Sequence, residues 1–346
     1  MKFQFSFIFA IVLSAAFLSG CVTNSPLLTA TSGGNKAEFR ELLNKGADIN
    51  ERSGLDDLTP LMASARQGNL DMVRELLKSG ANVKIKNKYD DTALTWAAKK
   101  CHQTIVQVLI DNGADVNAQN IGYWSTPLML AASCNDVVNV KALLAKGANR
   151  HAKNRSGMTA LTAAIEKGNL ETVKTLLEAG MSVIGPEGSV GLHYAAAKGD
   201  DPMTKFLIEK GVDVNIRSEA GRTPLMNAVV EGHSTTVSIL LKMGANVNAS
   251  NERGQTALMF AARYGSTDIT KQLLEHDAHV DVLSIVRDSA LIEAAQRGYY
   301  DIVSLLLKHG ANANIADING KTALAYAVDR RYEEIAKVLR NAGAMK

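Results

Sequence analysis

The apolar positions between residues 222 and 249 follow a pattern that recurs along most of the chain. Leu225, Ala228 and Val229 fall at i, i+3 and i+4, which predicts a short helix with one apolar stripe. A Thr-Pro pair before this stripe suits a helix N-terminus, and Gly244, after a second apolar stripe, suits a helix C-cap. One such unit, two short helices and an extended turn, cannot bury its own apolar faces, so it needs a neighbour on each side.

Ten units of this kind follow one another at spacings of 31 to 34 residues. We mark each unit by the threonine of Thr-Pro-Leu or by the residue in its place; the marks are Ser25, Thr59, Thr92, Thr126, Thr159, Val190, Thr223, Thr256, Ser289 and Thr322. Such a regular period predicts one continuous all-α array rather than separate globular domains. The motifs Thr-Pro-Leu-x-x-Ala, Leu-Leu and Gly-Ala-x-Val-Asn resemble the ankyrin repeat over residues 25–346. The resemblance implies a solenoid of about ten helix–turn–helix units with projecting hairpins.

Two units depart from this pattern in their helices or hairpins. Residues 29–34 of the first unit read Thr-Ala-Thr-Ser-Gly-Gly, which is a poor helix former, so this half is expected to be either part of a cap or a linker. Residues 181–186 are shorter than the usual hairpin before the mark at Val190. A bend, a specific contact and neutral drift are all compatible with this shortening.

Single substitutions also break the motif. Asp277 and Arg287 stand where other units have glycine, with the same three explanations open. The histidine that follows Thr-Pro-Leu in the ankyrin family braces neighbouring hairpins, and only His193 keeps it here. We therefore expect apolar packing to replace that bracing.

Residues 1–20 are interpreted as a targeting segment, with Lys2 before an apolar run too short for a comfortable membrane span. The following Leu-Ser-Gly-Cys, ending at Cys21, resembles the bacterial lipobox. The resemblance implies cleavage before Cys21, lipidation of that cysteine and a short linker, residues 21–24, before the array. Val22 after the cysteine favours the outer membrane, facing the periplasm of a Gram-negative cell. The alternative is an ordinary signal peptide or an N-terminal anchor with a chance cysteine.

Composition and motifs narrow the function classes. The formal net charge of +3 is too small to indicate nucleic-acid binding. The sequence contains no phosphate-binding glycine loop, zinc-protease motif or nucleophile elbow, so we expect neither an enzyme nor a cofactor. His276 and His279 flank Asp277, but solvated loop residues are the better interpretation than a metal site.

Two cysteines besides Cys21 fall in the same layer of adjacent units, Cys101 and Cys134. Stacked helices lie ~8–10 Å apart, whereas a disulfide needs Cα atoms within ~7 Å, which favours two free thiols. An oxidising periplasm and flexible turns would permit a bridge. A metal site that includes His102 is a third possibility.

By the ankyrin resemblance, a partner binds the hairpin tips and the inner face of the first helices. The inner-face pair lies seven and eight residues after each mark, and from the second unit onward these positions hold eight basic and three acidic residues. A basic stripe attracts an acidic protein partner, although a merely solvated face explains it equally well. The candidate contacts are Tyr89, Lys99, Lys100, Tyr123, Trp124, Arg222, Arg263, Tyr264, Arg297 and Arg330.

The sequence thus predicts a monomeric, lipid-anchored binding module for an envelope protein. Two other functions stay open: an inhibitor or immunity protein that occludes a periplasm-targeted toxin or enzyme, and a protein that binds anionic lipid or lipopolysaccharide.

Overall fold

The computed structural model describes residues 24–345, which contain twenty α-helices in ten antiparallel pairs. Hairpins join consecutive pairs, and isolated bridges such as Ser250–Thr256 close some of them. The helices are α1 (Pro26–Ser32), α2 (Lys36–Asn44), α3 (Pro60–Gln67), α4 (Leu70–Lys78), α5 (Ala93–Lys99), α6 (Gln103–Asp111), α7 (Pro127–Ser133), α8 (Val137–Ala145), α9 (Ala160–Glu166), α10 (Leu170–Glu178), α11 (Pro186–Lys198), α12 (Asp201–Glu209), α13 (Pro224–Val230), α14 (Ser234–Lys242), α15 (Ala257–Tyr264), α16 (Thr267–Glu275), α17 (Ala290–Arg297), α18 (Tyr300–Lys308), α19 (Ala323–Asp329) and α20 (Glu333–Asn341). The predicted all-α solenoid of helix pairs is confirmed.

The odd-numbered helices form the inner layer, and most begin at the predicted cap. The Thr59 hydroxyl accepts a hydrogen bond from the Met62 backbone N–H at 3.2 Å, and Thr223 does the same for Met226 at 3.3 Å. Neighbouring inner helices pack more closely than the outer, even-numbered helices do. The array therefore curves towards its inner helices, whose exposed side chains form a concave face.

The core consists of the apolar positions of the repeat, stacked from unit to unit. It divides into two clusters, one reaching from Leu27 to Val212 and the other from Ala196 to Leu339. Fully burying a side chain such as Leu94 or Leu161 stabilises the fold by roughly 1.5–3 kcal/mol. The repeats therefore stabilise one another along the whole described chain.

Backbone bracing between units survives, contrary to the expectation that apolar packing would replace it. In many hairpins an asparagine side chain near the base accepts a hydrogen bond from the backbone of the next unit. Asn149 N–H donates to Asn117 Oδ1 and Asn246 N–H donates to Asn215 Oδ1, both at 2.7 Å. Hydrogen bonds to asparagine side chains therefore brace neighbouring hairpins. Nδ1 of the retained His193 lies 3.1 Å from Nδ2 of Asn227, so this histidine contacts a side chain of the next unit.

The first unit is folded, so of the two expectations for its first half, a cap or a linker, the linker is wrong. Helix α1 is capped by the Ser25 hydroxyl, which accepts from the Leu28 N–H at 3.0 Å, and Leu27 and Leu28 are buried. Packing against α3 outweighs the poor intrinsic propensity of residues 29–34.

The sixth unit differs from the other described units at the start of its inner helix. Helix α11 begins at Pro186, four residues before the mark, so Val190 is an exposed helical residue rather than a cap. The extra helical turn takes the place of the hairpin that the shortened sequence lacks. Asp277 and Arg287, in contrast, keep φ angles of 62° and 60°, the left-handed conformation of the glycines they replace, so the local turns are preserved.

The predicted targeting segment, Cys21 and the residues up to 23 lie outside the described part of the chain. Within residues 24–345, none of the helices combines the length and the hydropathy needed to cross a bilayer.

Candidate interaction surface

Three positions of each unit form the concave face: those four, seven and eight residues after the mark. They lie on the inner helix and its C-terminal end, one above another from unit to unit. In most units the position four residues after the mark is the least exposed of the three, so the side chain there contacts the longer side chains around it. We call it the floor position.

The first notable floor residue is Trp96, which is largely buried between two cations. The Arg66 guanidinium carbon lies 4.7 Å from its ring centroid and the Lys99 Nζ 5.1 Å from it. Arg66 also pairs with Asp56 at 2.8 Å. We call Arg66, Trp96 and Lys99 the Trp96 cluster; Trp96 holds its cations by cation–π attraction and cancels no charge.

A disulfide adjoins this cluster. Cys101 and Cys134 are bridged with Cα atoms 5.6 Å apart, so the predicted pair of free thiols is not what the structure holds. The turns between the paired helices come closer than the helices themselves. Cys101 takes a φ of 58° at the position of the usual glycine, and the left-handed turn brings its backbone towards Cys134.

The second notable floor residue is Glu293, a buried carboxylate between two arginines. Its Oε2 lies 2.5 Å from Arg297 Nη1, and its Oε1 accepts from Arg263 Nε at 3.1 Å and pairs with Arg263 Nη2. We call these three residues the Glu293 cluster. The hydrogen bond to Glu293 raises the pKa of Arg263, whereas burial, and then the charge of Glu293, raises the pKa of Asp288 nearby.

The tenth unit carries a tyrosine at the floor position. The Tyr326 hydroxyl donates to Asp317 Oδ2 at 2.6 Å, and this hydrogen bond raises the pKa of Tyr326 to about 12. Burial acts to raise the pKa of Asp317, but hydrogen bonds from Tyr326 and from the Lys321 N–H hold it below its usual value. At this floor position the carboxylate of Asp317 is therefore held by a neutral donor, the Tyr326 hydroxyl, and not by a cation.

The predicted contact residues separate into two groups on this geometry. Arg263 and Arg297 share the carboxylate of Glu293, which cancels one of their two charges, and Arg222 lies over Phe260 at 5.3 Å. The inner-face candidates Lys99, Lys100, Tyr264 and Arg330 are exposed and form no ion pair with a carboxylate in residues 24–345. The basic stripe is therefore weaker than the sequence count implies. Among residues 24–345, its exposed cations without an ion pair are Lys99 and Lys100 in the third unit, Lys198 in the sixth and Arg330 in the tenth.

The aromatic candidates Tyr89, Tyr123 and Trp124 lie at the hairpin tips and not on the inner face. All three are exposed. The structure therefore divides the predicted site into an inner face and a tip edge.

Sequence reasoning missed the floor residues Trp96, Phe260, Glu293 and Tyr326. The signal was available, because each is a large or charged residue inside an alanine-rich inner helix. The burial of Glu293 could be predicted only if it were known that both Arg263 and Arg297 contact its carboxylate. Among residues 24–345, no three His, Cys, Asp or Glu side chains lie close enough together to hold a metal ion.

The sequence model of the family described as "Ankyrin repeats (3 copies)" matches residues 27–120, 122–184, 192–284 and 282–346. The chain belongs to the ankyrin repeat family. Members of this family are generally non-catalytic interaction modules, and the ankyrin repeats of this chain imply a protein–protein interaction module.

Similar ankyrin proteins come from distant sources. The "Putative ankyrin repeat protein YahD" of Escherichia coli is 30% identical over 39% of this chain and 70% of its own length. The "Putative ankyrin repeat protein FPV230" of fowlpox virus is 25% identical over 39% of the chain and 91% of its own. The "Transient receptor potential cation channel subfamily A member 1 homolog" of Caenorhabditis elegans is 33% identical over 29% of the chain, and the match spans 8% of that protein.

Proposed function

We propose that this ankyrin array is a lipid-anchored module of the bacterial envelope that binds an acidic segment of another envelope protein on its concave face. The observation that carries the binding surface is the Trp96 cluster with its neighbour Lys100. Here Lys99 and Lys100 are exposed and form no ion pair with a carboxylate in residues 24–345.

The Trp96 cluster is also preorganised for binding. The ring holds Lys99 in place and the bridge Cys101–Cys134 ties the third unit to the fourth. A fixed cation loses less conformational entropy on binding than a free lysine does. An acidic partner would add the charge that Trp96 does not supply.

The anchor rests on the lipobox ending at Cys21. Several acyl chains on one residue give stable membrane attachment, whereas one chain gives only marginal binding. Mass spectrometry of the N-terminal peptide tests this part: we expect an acylated Cys21 at the new N-terminus, and an unmodified or uncleaved chain in Cys21→Ser. An unmodified Cys21 in the wild type would refute the anchor and leave the binding surface untouched.

The binding surface is tested by crosslinking in the periplasm of a Gram-negative host. Lys99→Glu with Lys100→Glu reverses two inner-face charges, and Lys141→Glu with Lys146→Glu makes the same charge change around the exposed side of α8. We expect the inner-face variant to lose an envelope protein that the wild type and the α8 variant both retain. Equal retention by both variants would move the site away from the third unit.

A further inference from the structure

The hairpin tips of the third, fourth and fifth units form one continuous edge. The Ile121 N–H donates to the Tyr89 carbonyl at 2.8 Å, and the Arg155 N–H donates to the Tyr123 carbonyl at 3.0 Å. Side chains at these tips therefore lie side by side along the edge. We call Lys88, Tyr89, Ile121, Tyr123, Trp124 and Arg155 the tip patch.

The apolar and aromatic side chains of the tip patch are exposed and belong to neither core cluster. Tyr123 is 70% exposed, Ile121 51%, Trp124 48% and Tyr89 44%. Trp124 also has a φ of 57°, a left-handed conformation that costs free energy for a bulky side chain. Neither the strained backbone nor the exposed side chains contribute to the packing of the array. This points to a surface that binds another molecule.

Positive charge surrounds these aromatic side chains. Residues 84–91, 117–125 and 150–156 together contain six cations and two carboxylates. One of the carboxylates, Asp91, is buried, and burial raises its pKa. Within residues 24–345 none of the six cations forms an ion pair with a carboxylate; they are Lys84, Lys86, Lys88, Arg150, Lys153 and Arg155.

Two of the cations lie against the aromatic rings themselves. Lys88 Nζ is 4.9 Å from the Tyr89 centroid, and the Arg155 guanidinium carbon is 5.7 Å from the Trp124 centroid. Cationic heads beside amphipathic rings are the arrangement that a bilayer interface favours. Tyr and Trp settle at the headgroup level and Lys and Arg meet anionic phosphates.

We propose that the tip patch docks on an anionic membrane surface, with Tyr123 and Trp124 at the headgroup level and the six cations facing lipid phosphates. The site is separate from the concave face and does not require the lipid at Cys21. It sets the orientation of the array, because a membrane-bound tip edge leaves the concave face open to a protein partner.

The ninth unit provides a matched control at the same position of the repeat. Ile285 and Val286 are 67% and 42% exposed at that tip. The equivalent stretches of three adjacent hairpins, residues 248–255, 281–288 and 314–321, contain three cations and four carboxylates. The ninth tip thus exposes apolar side chains to about the same extent as the tip patch, but it lacks the excess of cations.

The test uses a chain that begins at Val22, because the twenty helices α1 to α20 and both core clusters lie within residues 24–345. It is floated with vesicles of phosphatidylcholine alone, and of phosphatidylcholine and phosphatidylglycerol in equal parts. We expect binding only to the mixed vesicles. Tyr123→Ser with Trp124→Asn should weaken that binding at least tenfold, while Ile285→Ser with Val286→Ser should leave it unchanged. Asparagine suits the left-handed backbone at position 124.

Fluorescence gives a second readout that does not depend on the affinity. In a Trp96→Phe background, Trp124 is the sole tryptophan, and its emission should shift to the blue on addition of the mixed vesicles. Equal binding by the two tip variants, or bound protein without a blue shift, would overturn the proposal. Loss of a crosslinked envelope protein in the Tyr123–Trp124 variant, without any vesicle binding by the wild type, would assign the tip patch to a protein instead.

Discussion

The Trp96 and Glu293 clusters occupy the same place in the repeat and give it different chemistry. In each, the floor residue of one unit contacts a cation of the preceding unit, Arg66 or Arg263, and a cation of its own unit. Trp96 cancels neither charge, so Lys99 keeps its charge towards solvent and Arg66 pairs with Asp56 instead, whereas Glu293 cancels one of two charges in a buried ion pair. The floor residue, and not the count of basic residues, therefore decides how much positive charge each unit presents.

The two clusters also differ in what joins their units. The bridge Cys101–Cys134 ties the third unit to the fourth covalently, and the Arg263–Glu293 pair ties the eighth unit to the ninth by charge. Reduction should therefore affect only the first junction, and loss of a carboxylate only the second.

The largest effect expected from breaking a link between two units is the loss of the disulfide. Cys101→Ser with Cys134→Ser should lower the free energy of unfolding by ~2–4 kcal/mol, because the bridge restricts the unfolded chain over a separation of 33 residues. Urea unfolding with and without reductant measures this. Reductant should destabilise the wild type by the same amount and leave the double variant unchanged; a wild type insensitive to reductant would contradict the bridge.

Next in size is the loss of the buried carboxylate. Glu293→Gln leaves two arginines without their counter-charge, and we expect a cost of about 2 kcal/mol, since both guanidinium groups still reach water. Glu166→Gln is the control, because its pair with Lys167 is long, at 3.9 Å, and should contribute less than about 1 kcal/mol. Equal costs for the two variants in thermal unfolding would mean that burial of Glu293 has no special weight.

A smaller effect is expected at the other floor residue. Trp96→Phe keeps an aromatic face for Arg66 and Lys99 and removes a buried indole N–H that has no partner in the described structure. These changes offset each other, so the cost should stay below about 1 kcal/mol, while Trp96→Ala should cost about 3–5 kcal/mol through the cavity it opens. Urea unfolding of both variants distinguishes them; a phenylalanine variant as unstable as the alanine one would show that the indole N–H does contribute to stability.

The smallest effect is a pH dependence at the tenth unit. Because the pKa of Tyr326 is raised from 10.0 to about 12 in the folded protein, its stabilisation is complete below pH 10 and is lost as the pH rises through 12. The stability difference between wild type and Tyr326→Phe should therefore be constant, at about 1 kcal/mol, below pH 10 and shrink above it. Thermal unfolding from neutral to alkaline pH measures the difference, and one that grows with pH would contradict this assignment.

The repeat itself could be predicted from the sequence because each unit carries its own caps and apolar stripes. Thr59 and Thr223 cap the helices as their local sequence indicates, and the glycine position between paired helices survives even where it is Cys101. These features depend on residues within one unit, so a single unit is enough to predict them.

Features that depend on two units could not be predicted in the same way. Helix α1 forms against its propensity because α3 covers it, and the turns bring Cys101 and Cys134 closer than an average helix spacing allows. The neutralisation of Arg263 by Glu293 likewise joins residues 30 positions apart. The basic stripe was overcounted because the sequence does not show which residue lies beneath each cation.

The proposed protein-binding face is tested most directly by photocrosslinking in living cells. A benzophenone amino acid replaces Lys100 on the concave face, Tyr123 at the tip patch or Lys141 on the exposed side of α8. We expect Lys100 to give a discrete adduct with one envelope protein, Tyr123 to give lipid adducts, and Lys141 to give neither. A protein adduct from Lys141 and none from Lys100 would contradict the central claim that the concave face of the third unit binds the partner.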